Sequence, residues 1–411
     1  MAAQSISKLR ISTTRLESSI GEMGRIGFDP RTNGRTRLAL SDEDRQARDL
    51  LCSWLRGAGL EVRIDGMGNI FGLREGVDKN ALPVMMGSHI DTVRSAGMFD
   101  GVYGVLGALE VIRTLNDNNV KTKRPIVIAA FTNEEGARFQ LDMMGSIFYT
   151  KARPEDELYS VRDDNGISVR DELNRIGYMG NESFPAGNYF ELHIEQGPKL
   201  DAEKTQIGVV EGIQGLAWWE GSYRGVANHA GSTPMEMRKD ALLGAAALAI
   251  ETEKLAAKVG SGSVATMGRI RPEPDVINIV PGKCGFTIDF RQFDKELFEA
   301  GKKEVAALIE SCAETRGLGC SYSQLVDAQP VVFDKKMVSV VEESATELGF
   351  STKRMYSGAG HDAQFMCQYC PTAMIFVPSR GGLSHCPQEW TDIADAENGC
   401  NVLMHSVLKL V

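Results

Sequence analysis

The sequence predicts two domains in one chain. One is a discontinuous α/β domain with a mostly parallel central sheet, over residues 1–211 and 330–411; the other is an α+β domain inserted at 212–329. Three observations carry this reading. At 411 residues the chain has room for two or three domains of about 150 residues each. Its first two hundred residues alternate short continuous apolar runs with helix-period segments, the pattern of strands buried on both faces and covered by helices. After about residue 212 the pattern changes, and the elements follow the β-α-β-β-α-β order of ferredoxin-like folds.

The elements can be justified in order. Ser41 with Asp44 three residues on, as in a capping box, reads as a helix start, Leu50, Leu51, Trp54 and Leu55 form its apolar stripe, and Gly57 and Gly59 end it. EVRIDGMGNIFGL alternates around a Gly66–Asn69 turn and reads as a hairpin. PVMMGS reads as a strand, Gly101 to Leu115 as a helix, PIVIAAF as a second buried strand, and a helix follows Met143. In the inserted domain, Leu216–Tyr223, Ser263–Ile270, Cys284–Arg291 and Cys320–Leu325 are the strands, and Asp240–Lys258 and Lys295–Arg316 the helices. Helices at Lys335–Leu348 and AQFMCQYC, a strand at Thr372–Val377 and a last helix from about Ala394 then complete the first sheet. Trp218 and Trp219 are strand neighbours that face opposite ways, so at most one enters the domain core.

Composition narrows the function classes. With 43% hydrophobic and 24% charged residues the chain is an ordinary globular protein, not a disordered or collagenous one. A net charge of −10 argues against a surface that tracks nucleic acid phosphates. The longest apolar run, Ala241–Ile250, is about half of the ~20 residues that a membrane span needs. Charges at Lys8, Arg10, Arg15 and Glu17 leave no apolar core for a signal peptide, so a cytoplasmic protein is expected. Its 8 cysteines are then expected to be reduced and mostly structural, including the lone Cys367-x-x-Cys370 pair.

Chemistry concentrates in five short segments, four of which end or follow predicted strands, where open α/β sheets bind ligands. GSHIDT places His89 and Asp91 two apart, so that one can ligate a metal while the other orients it. MFDGVYG sets Asp100 at the mouth of a helix. In FTNEEGARF the adjacent Glu134 and Glu135 cannot both face one ligand in regular structure, which suits them to two roles. ELHIEQG contributes His193 and GGLSHCP contributes His385. Three imidazoles with Asp100 and Glu135 suit a pair of divalent ions if one carboxylate bridges them. Such a pair lowers the pKa of a shared water and polarises a carbonyl, leaving Glu134 free to take and return the proton.

GSHIDT, FDG, NEEGARF, ELHIEQG, NHAGSTPM and SGAGHD, in this order and spacing, resemble the di-metal amidohydrolases of the M20 peptidase superfamily. They look most like its carbamoylase and allantoate amidohydrolase branch. The resemblance covers nearly the whole chain except the first thirty or so residues. It implies His89, Asp100, Glu135, His193 and His385 as ligands of two metal ions (zinc, manganese, cobalt or nickel), with Asp100 as the bridge and Glu134 as the general base. An imidazole at His193, where peptidase and deacylase relatives usually carry an acid, favours the carbamoylase branch. Gln196, His229, Asn278 and Arg291 match substrate-binding positions. Gly358 and Gly360 can bring backbone N–H groups to an anionic substrate. His361 is read as a supporting residue, with a purely structural role as the alternative, and His405 as incidental. The resemblance further implies that the smaller domain is a lid and dimerisation unit of a homodimer, with His229 acting in the partner's site.

The expected activity is hydrolysis of the carbamoyl C–N bond of an N-carbamoyl-L-amino acid or a close ureido acid such as N-carbamoyl-β-alanine, giving amino acid, ammonia and carbon dioxide. The nearest alternative is allantoate amidohydrolase. More distant ones are an M20 peptidase or N-acyl amino acid deacylase and a non-catalytic binding protein of the same fold. Loss of a ligand or of the base would mark the last, and none is lost.

Overall fold

The computed structural model describes residues 7–411 and separates into two units, one ending at Gly212 and resuming at Val332, the other spanning Ile213–Val331. The first unit is a mixed α/β structure on a nine-stranded sheet. Thr372–Val377, Asn188–Ile194, Val84–His89 and Ile126–Phe131 lie side by side and parallel at its centre. Three of these strands are buried at every residue and Asn188–Ile194 at all but its first, as expected of strands covered on both faces. The hairpin Glu61–Ile64 and Ile70–Arg74 adds antiparallel strands beyond Ile126–Phe131, and Ile207–Ile213 runs antiparallel to Thr372–Val377 on the other side.

Helix Val102–Asp117 packs on the central strands and is itself covered by Ile393–Leu408 and Thr13–Met23. Ala363–Tyr369 and Met144–Thr150 pack on each other and on the same sheet. The Ser41 hydroxyl caps Asp42–Gly57 by accepting the Asp44 N–H, as its position predicts. The reciprocal bond differs: the Asp44 carboxylate accepts from Leu40 N–H and pairs with the buried Arg48. Of the N-terminal segment read as lacking a leader, residues 1–6 lie outside the described residues. Thr13–Met23 is a helix capped by Ser12 and tied by Arg15 to the buried Glu110.

The second unit is a four-stranded antiparallel sheet in the order Val264–Glu273, Lys283–Gln292, Gly215–Arg224, Gly319–Ala328. Helices Ala241–Val259 and Lys295–Glu314 cover one face, and the strand order is that of ferredoxin-like folds. Trp219 joins the core with Tyr223, Phe286 and Phe290, while Trp218 is 39% exposed, so the two tryptophans do face opposite ways. No helix among the described residues is long and apolar enough to cross a membrane, and all eight cysteines are free thiols.

Candidate metal centre

All four central parallel strands deliver a side chain to one place at their carboxyl ends. His89 closes Val84–His89, and His193 is the penultimate residue of Asn188–Ile194. Glu134 and Glu135 follow Ile126–Phe131 by three and four residues, and the loop after Thr372–Val377 brings His385. Asp100 arrives from the turn before helix Val102–Asp117, where Gly101 adopts a left-handed φ of 64°. Only glycine fits there, because a Cβ would stand 2.3 Å from the His89 ring.

These donors form two groups with Asp100 in both: His89, Asp100 and His193, and Asp100, Glu135 and His385. Within each group one ligand atom per residue lies within 4.8 Å of the others. Asp100 Oδ1 is 3.5 Å from His89 Nε2 and 3.3 Å from His193 Nε2. Its Oδ2 is 3.3 Å from His385 Nε2, which is also 3.3 Å from Glu135 Oε2. Donors around a tetrahedral ion bound at about 2.0–2.1 Å stand about 3.3–3.4 Å apart, so these separations fit such a site. The neighbouring glutamates part as their adjacency requires: Glu134 Oε2 lies 3.4 Å from His89 Nε2, and Glu135 turns to His385.

The electrostatics are those of a site built for cations. Burial pushes the Glu134 carboxyl well up against the pull of His89, with Asp362, Glu135 and Asp100 adding to the rise. Burial and then Asp100 raise Glu135. Burial alone would raise Asp100 too, but its contacts with His193, His385 and His89 hold it well below the usual carboxylate range. His385 is raised to about 9, chiefly by its contact with Asp100. Carboxylates crowded until they raise one another are relieved when a divalent charge is bound among them.

Asp91 supports the centre differently from the expectation that its carboxylate steadies His89. The His89 Nδ1 contact is the Asp91 backbone carbonyl at 3.1 Å, while the carboxylate stands 3.9 Å away. That carboxylate instead accepts the N–H groups of Glu134 and Glu135, both at 3.3 Å, and so holds the loop that carries both glutamates. His361 belongs to neither donor group; it packs edge-on against His193 at 4.5 Å and bonds Ser357 Oγ through Nε2.

Gln196, with φ at 55°, donates from Nε2 to Asp100 Oδ2 at 2.7 Å, and the same atom lies 3.3 Å from His385 Nε2, so it borders the centre. Gly360 is exposed, one residue before the buried His361. The other three predicted substrate residues lie in the second unit. His229 ends the strand Asn228–His229, which pairs with Ile279–Val280, and Asn278 directly precedes the latter; both are exposed, and Ala230 N–H donates to the Asn278 carbonyl. His229 Nδ1 accepts from Gly231 and Ser232 N–H. Arg291 lies on Lys283–Gln292 and pairs with Asp289 at 2.9 Å. His405 is buried and bonds the Leu9 carbonyl through Nε2.

Sequence reasoning missed Ser384 and Glu389. Both lie in the His385 loop, and a carboxylate four residues after a candidate ligand histidine was the available signal. Ser384 Oγ is 2.9 Å from both Asp100 Oδ2 and Glu389 Oε2.

Residues 85–409 match the model of peptidase family M20/M25/M40. The chain is 42% identical over 403 residues to an N-carbamoyl-L-amino-acid amidohydrolase of Rhizobium meliloti, covering 97% of each chain. It is 33% identical to an allantoate amidohydrolase of Bacillus subtilis, over 92% of this chain and 93% of that one. Among solved structures, an amidase of the hydantoinase/carbamoylase family from Burkholderia multivorans superimposes with a TM-score of 0.94 at 40% identity, covering 98% of both chains.

Proposed function

Because the chain belongs to peptidase family M20/M25/M40, we propose that it hydrolyses the carbamoyl C–N bond of N-carbamoyl-L-amino acids or a close ureido acid such as N-carbamoyl-β-alanine. The observation that carries this reading is the division of Asp100, one oxygen facing His89 and His193 and the other facing His385, with Glu134 alongside. His89 and His193 would share one divalent cation with Asp100, and Glu135 and His385 a second. Zinc, manganese, cobalt and nickel all suit this donor set. Ions held there would supply Lewis-acid chemistry, polarising the ureido carbonyl and acidifying a water.

The chain's own groups then do the proton work. Glu134 takes a proton from the water as its oxygen bonds to the ureido carbon, and returns it to the amino nitrogen as the C–N bond breaks. The amino acid leaves, and the carbamate decomposes to ammonia and carbon dioxide. Gln196 and Gly360 line the substrate in this reading. Arg291 takes the substrate carboxylate through a bidentate fork, with His229 and Asn278 beside it.

The protein works in this reading as a homodimer whose second unit is both lid and contact surface, and His229 serves the partner's centre. The edge strand Val264–Glu273 supports a contact surface: it carries exposed Val264 and Ile270, and helix Ala241–Val259 next to it exposes Leu243 and Ile250. Eight free thiols suit the reducing cytoplasm. The net charge of −10 fits a small-molecule substrate better than nucleic acid or an anionic membrane surface.

The deciding experiment is ammonia release from N-carbamoyl-α-amino acids, N-carbamoyl-β-alanine and allantoate, with Mn²⁺, Co²⁺ or Zn²⁺ added. Fastest turnover of N-carbamoyl-L-amino acids supports the reading. A preference for allantoate replaces it with the activity of the Bacillus subtilis relative. Cleavage of N-acyl amino acids without ammonia release replaces it with a deacylase.

A further inference from the structure

We propose that Glu389 is a positioning residue for the exposed half of the metal centre, holding the loop that carries His385 against the backbone that carries Asp100. The proposal rests on the two-cation reading above. Glu389 is 3% exposed. Its Oε1 accepts the consecutive backbone N–H groups of Phe99 at 3.0 Å and Asp100 at 3.1 Å. Its Oε2 accepts the hydroxyl of Ser384, the residue before His385, at 2.9 Å. A single carboxylate therefore spans the bridging aspartate and the histidine loop. The chain closes tightly on it, since a Cβ on Gly97 would stand 2.4 Å from Oε1.

The two halves of the centre need this support unequally. His89 and His193 project from ends of central strands, with side chains 1% exposed. Each has its Nδ1 bonded to a backbone carbonyl, Asp91 at 3.1 Å and Ile194 at 2.9 Å. His385 comes from a loop, is 49% exposed and adopts φ of 56°. A loop ligand loses conformational freedom when it binds, and a contact that fixes the loop beforehand removes much of that loss. Glu389 thus sets the cation affinity of the Asp100–Glu135–His385 group, and the His89–Asp100–His193 group stands largely without it.

The test is equilibrium dialysis of the full chain with Mn²⁺ or Co²⁺, comparing wild type with Glu389→Ala, Glu389→Gln and Ser384→Ala. Wild type is expected to bind two cations per chain. Glu389→Ala should keep one within about threefold of its wild-type affinity and bind the other at least about tenfold more weakly, the range seen when support for a ligand is removed. Glu389→Gln, whose carbonyl still accepts the two N–H bonds, should fall between. The retained cation is identified by adding His385→Ala to Glu389→Ala, which should leave its affinity unchanged. If Glu389→Ala does not fold, Glu389→Gln decides, by weakening the second cation only, because Ser384→Ala also removes the contact of Ser384 Oγ with Asp100 Oδ2 at 2.9 Å. Wild-type affinity for both cations, or equal weakening of both, overturns the proposal. A wild-type chain that binds fewer than two cations removes the two-cation reading and this proposal with it, a failure visible before any variant is made.

Discussion

Replacing Gly101 by alanine should cost the protein its first cation as well as some stability, and the size of the effect can be worked out. The new Cβ would lie 2.3 Å from Cε1 and Nε2 of His89, where ordinary contact begins at 3.4 Å, so the ring must retreat by the difference, 1.1 Å. Metal–ligand distances tolerate only about 0.2 Å, so a ring moved that far no longer ligates. Alanine at φ 64° and ψ −50°, outside the left-handed helical well, also costs about 1–3 kcal/mol, and overpacking a buried site about 1–3 kcal/mol more. Gly59→Ala is the control for steric crowding: its φ of 81° carries a backbone cost of its own, and a Cβ there meets nothing within 4 Å. Urea unfolding of both variants without metal, with cation content by dialysis, separates the two contributions. Gly59→Ala should lose about 1–2 kcal/mol and keep both cations. Gly101→Ala should lose more stability, retain at most one cation, and fall at least about 100-fold in kcat. A Gly101→Ala variant that binds two cations with wild-type affinity would refute the argument.

The remaining predictions concern the groups to which the proposed function gives the chemistry. Glu134→Gln should lower kcat by about 100-fold or more with cation content unchanged, because an amide keeps the shape but takes no proton; a variant above a tenth of wild type would reassign the base. Asp100→Ala should bind neither cation, since Asp100 faces both donor groups, and one stoichiometric ion in elemental analysis would show that it serves only one. Arg291→Lys should raise KM for carboxylate substrates by about 10-fold or more with kcat little changed, and an unaltered KM would take Arg291 out of the site. Mixing Glu134→Gln with His229→Ala subunits should restore about a quarter of wild-type activity, because each hybrid dimer keeps one intact site if His229 acts across subunits. No recovery after confirmed subunit exchange would place His229 in its own chain's site or outside any site.

Much of this molecule could be read along the chain. Strand positions such as Val84–His89 and Ile126–Phe131 follow from continuous apolar runs, and the changed pattern after residue 212 follows from strands such as Gly215–Arg224 with one exposed face. Both are local properties that survive without knowledge of the rest of the fold. The residue types of the two donor groups were legible too, because histidine and acid pairs stand out in segments that end buried strands. The edge cases were those in which a local rule met a competing partner: Asp44 was expected to complete a capping box and instead serves Leu40 and Arg48.

What only the tertiary structure decided is how those residues share the work. A cation site gathers donors remote in sequence, so no local pattern could assign Asp100 Oδ1 to one donor group and Oδ2 to the other, or send Glu134 and Glu135 to different imidazoles. The positive φ of Gln196 belongs to a residue type that seldom adopts it, whereas those of Asn133 and His385 fall on types that tolerate it, and Gln196 keeps it because the surrounding packing holds it. Asp91 was legible as a partner of His89, yet its carboxylate bonds the backbone of a loop more than forty residues away. Glu389 was invisible for the same reason: its partners, Phe99 and Asp100, lie 290 and 289 residues distant along the chain. Periodicity reports which face of an element is buried. Which buried carboxylate meets which backbone N–H is settled by the packing of strands and loops against one another.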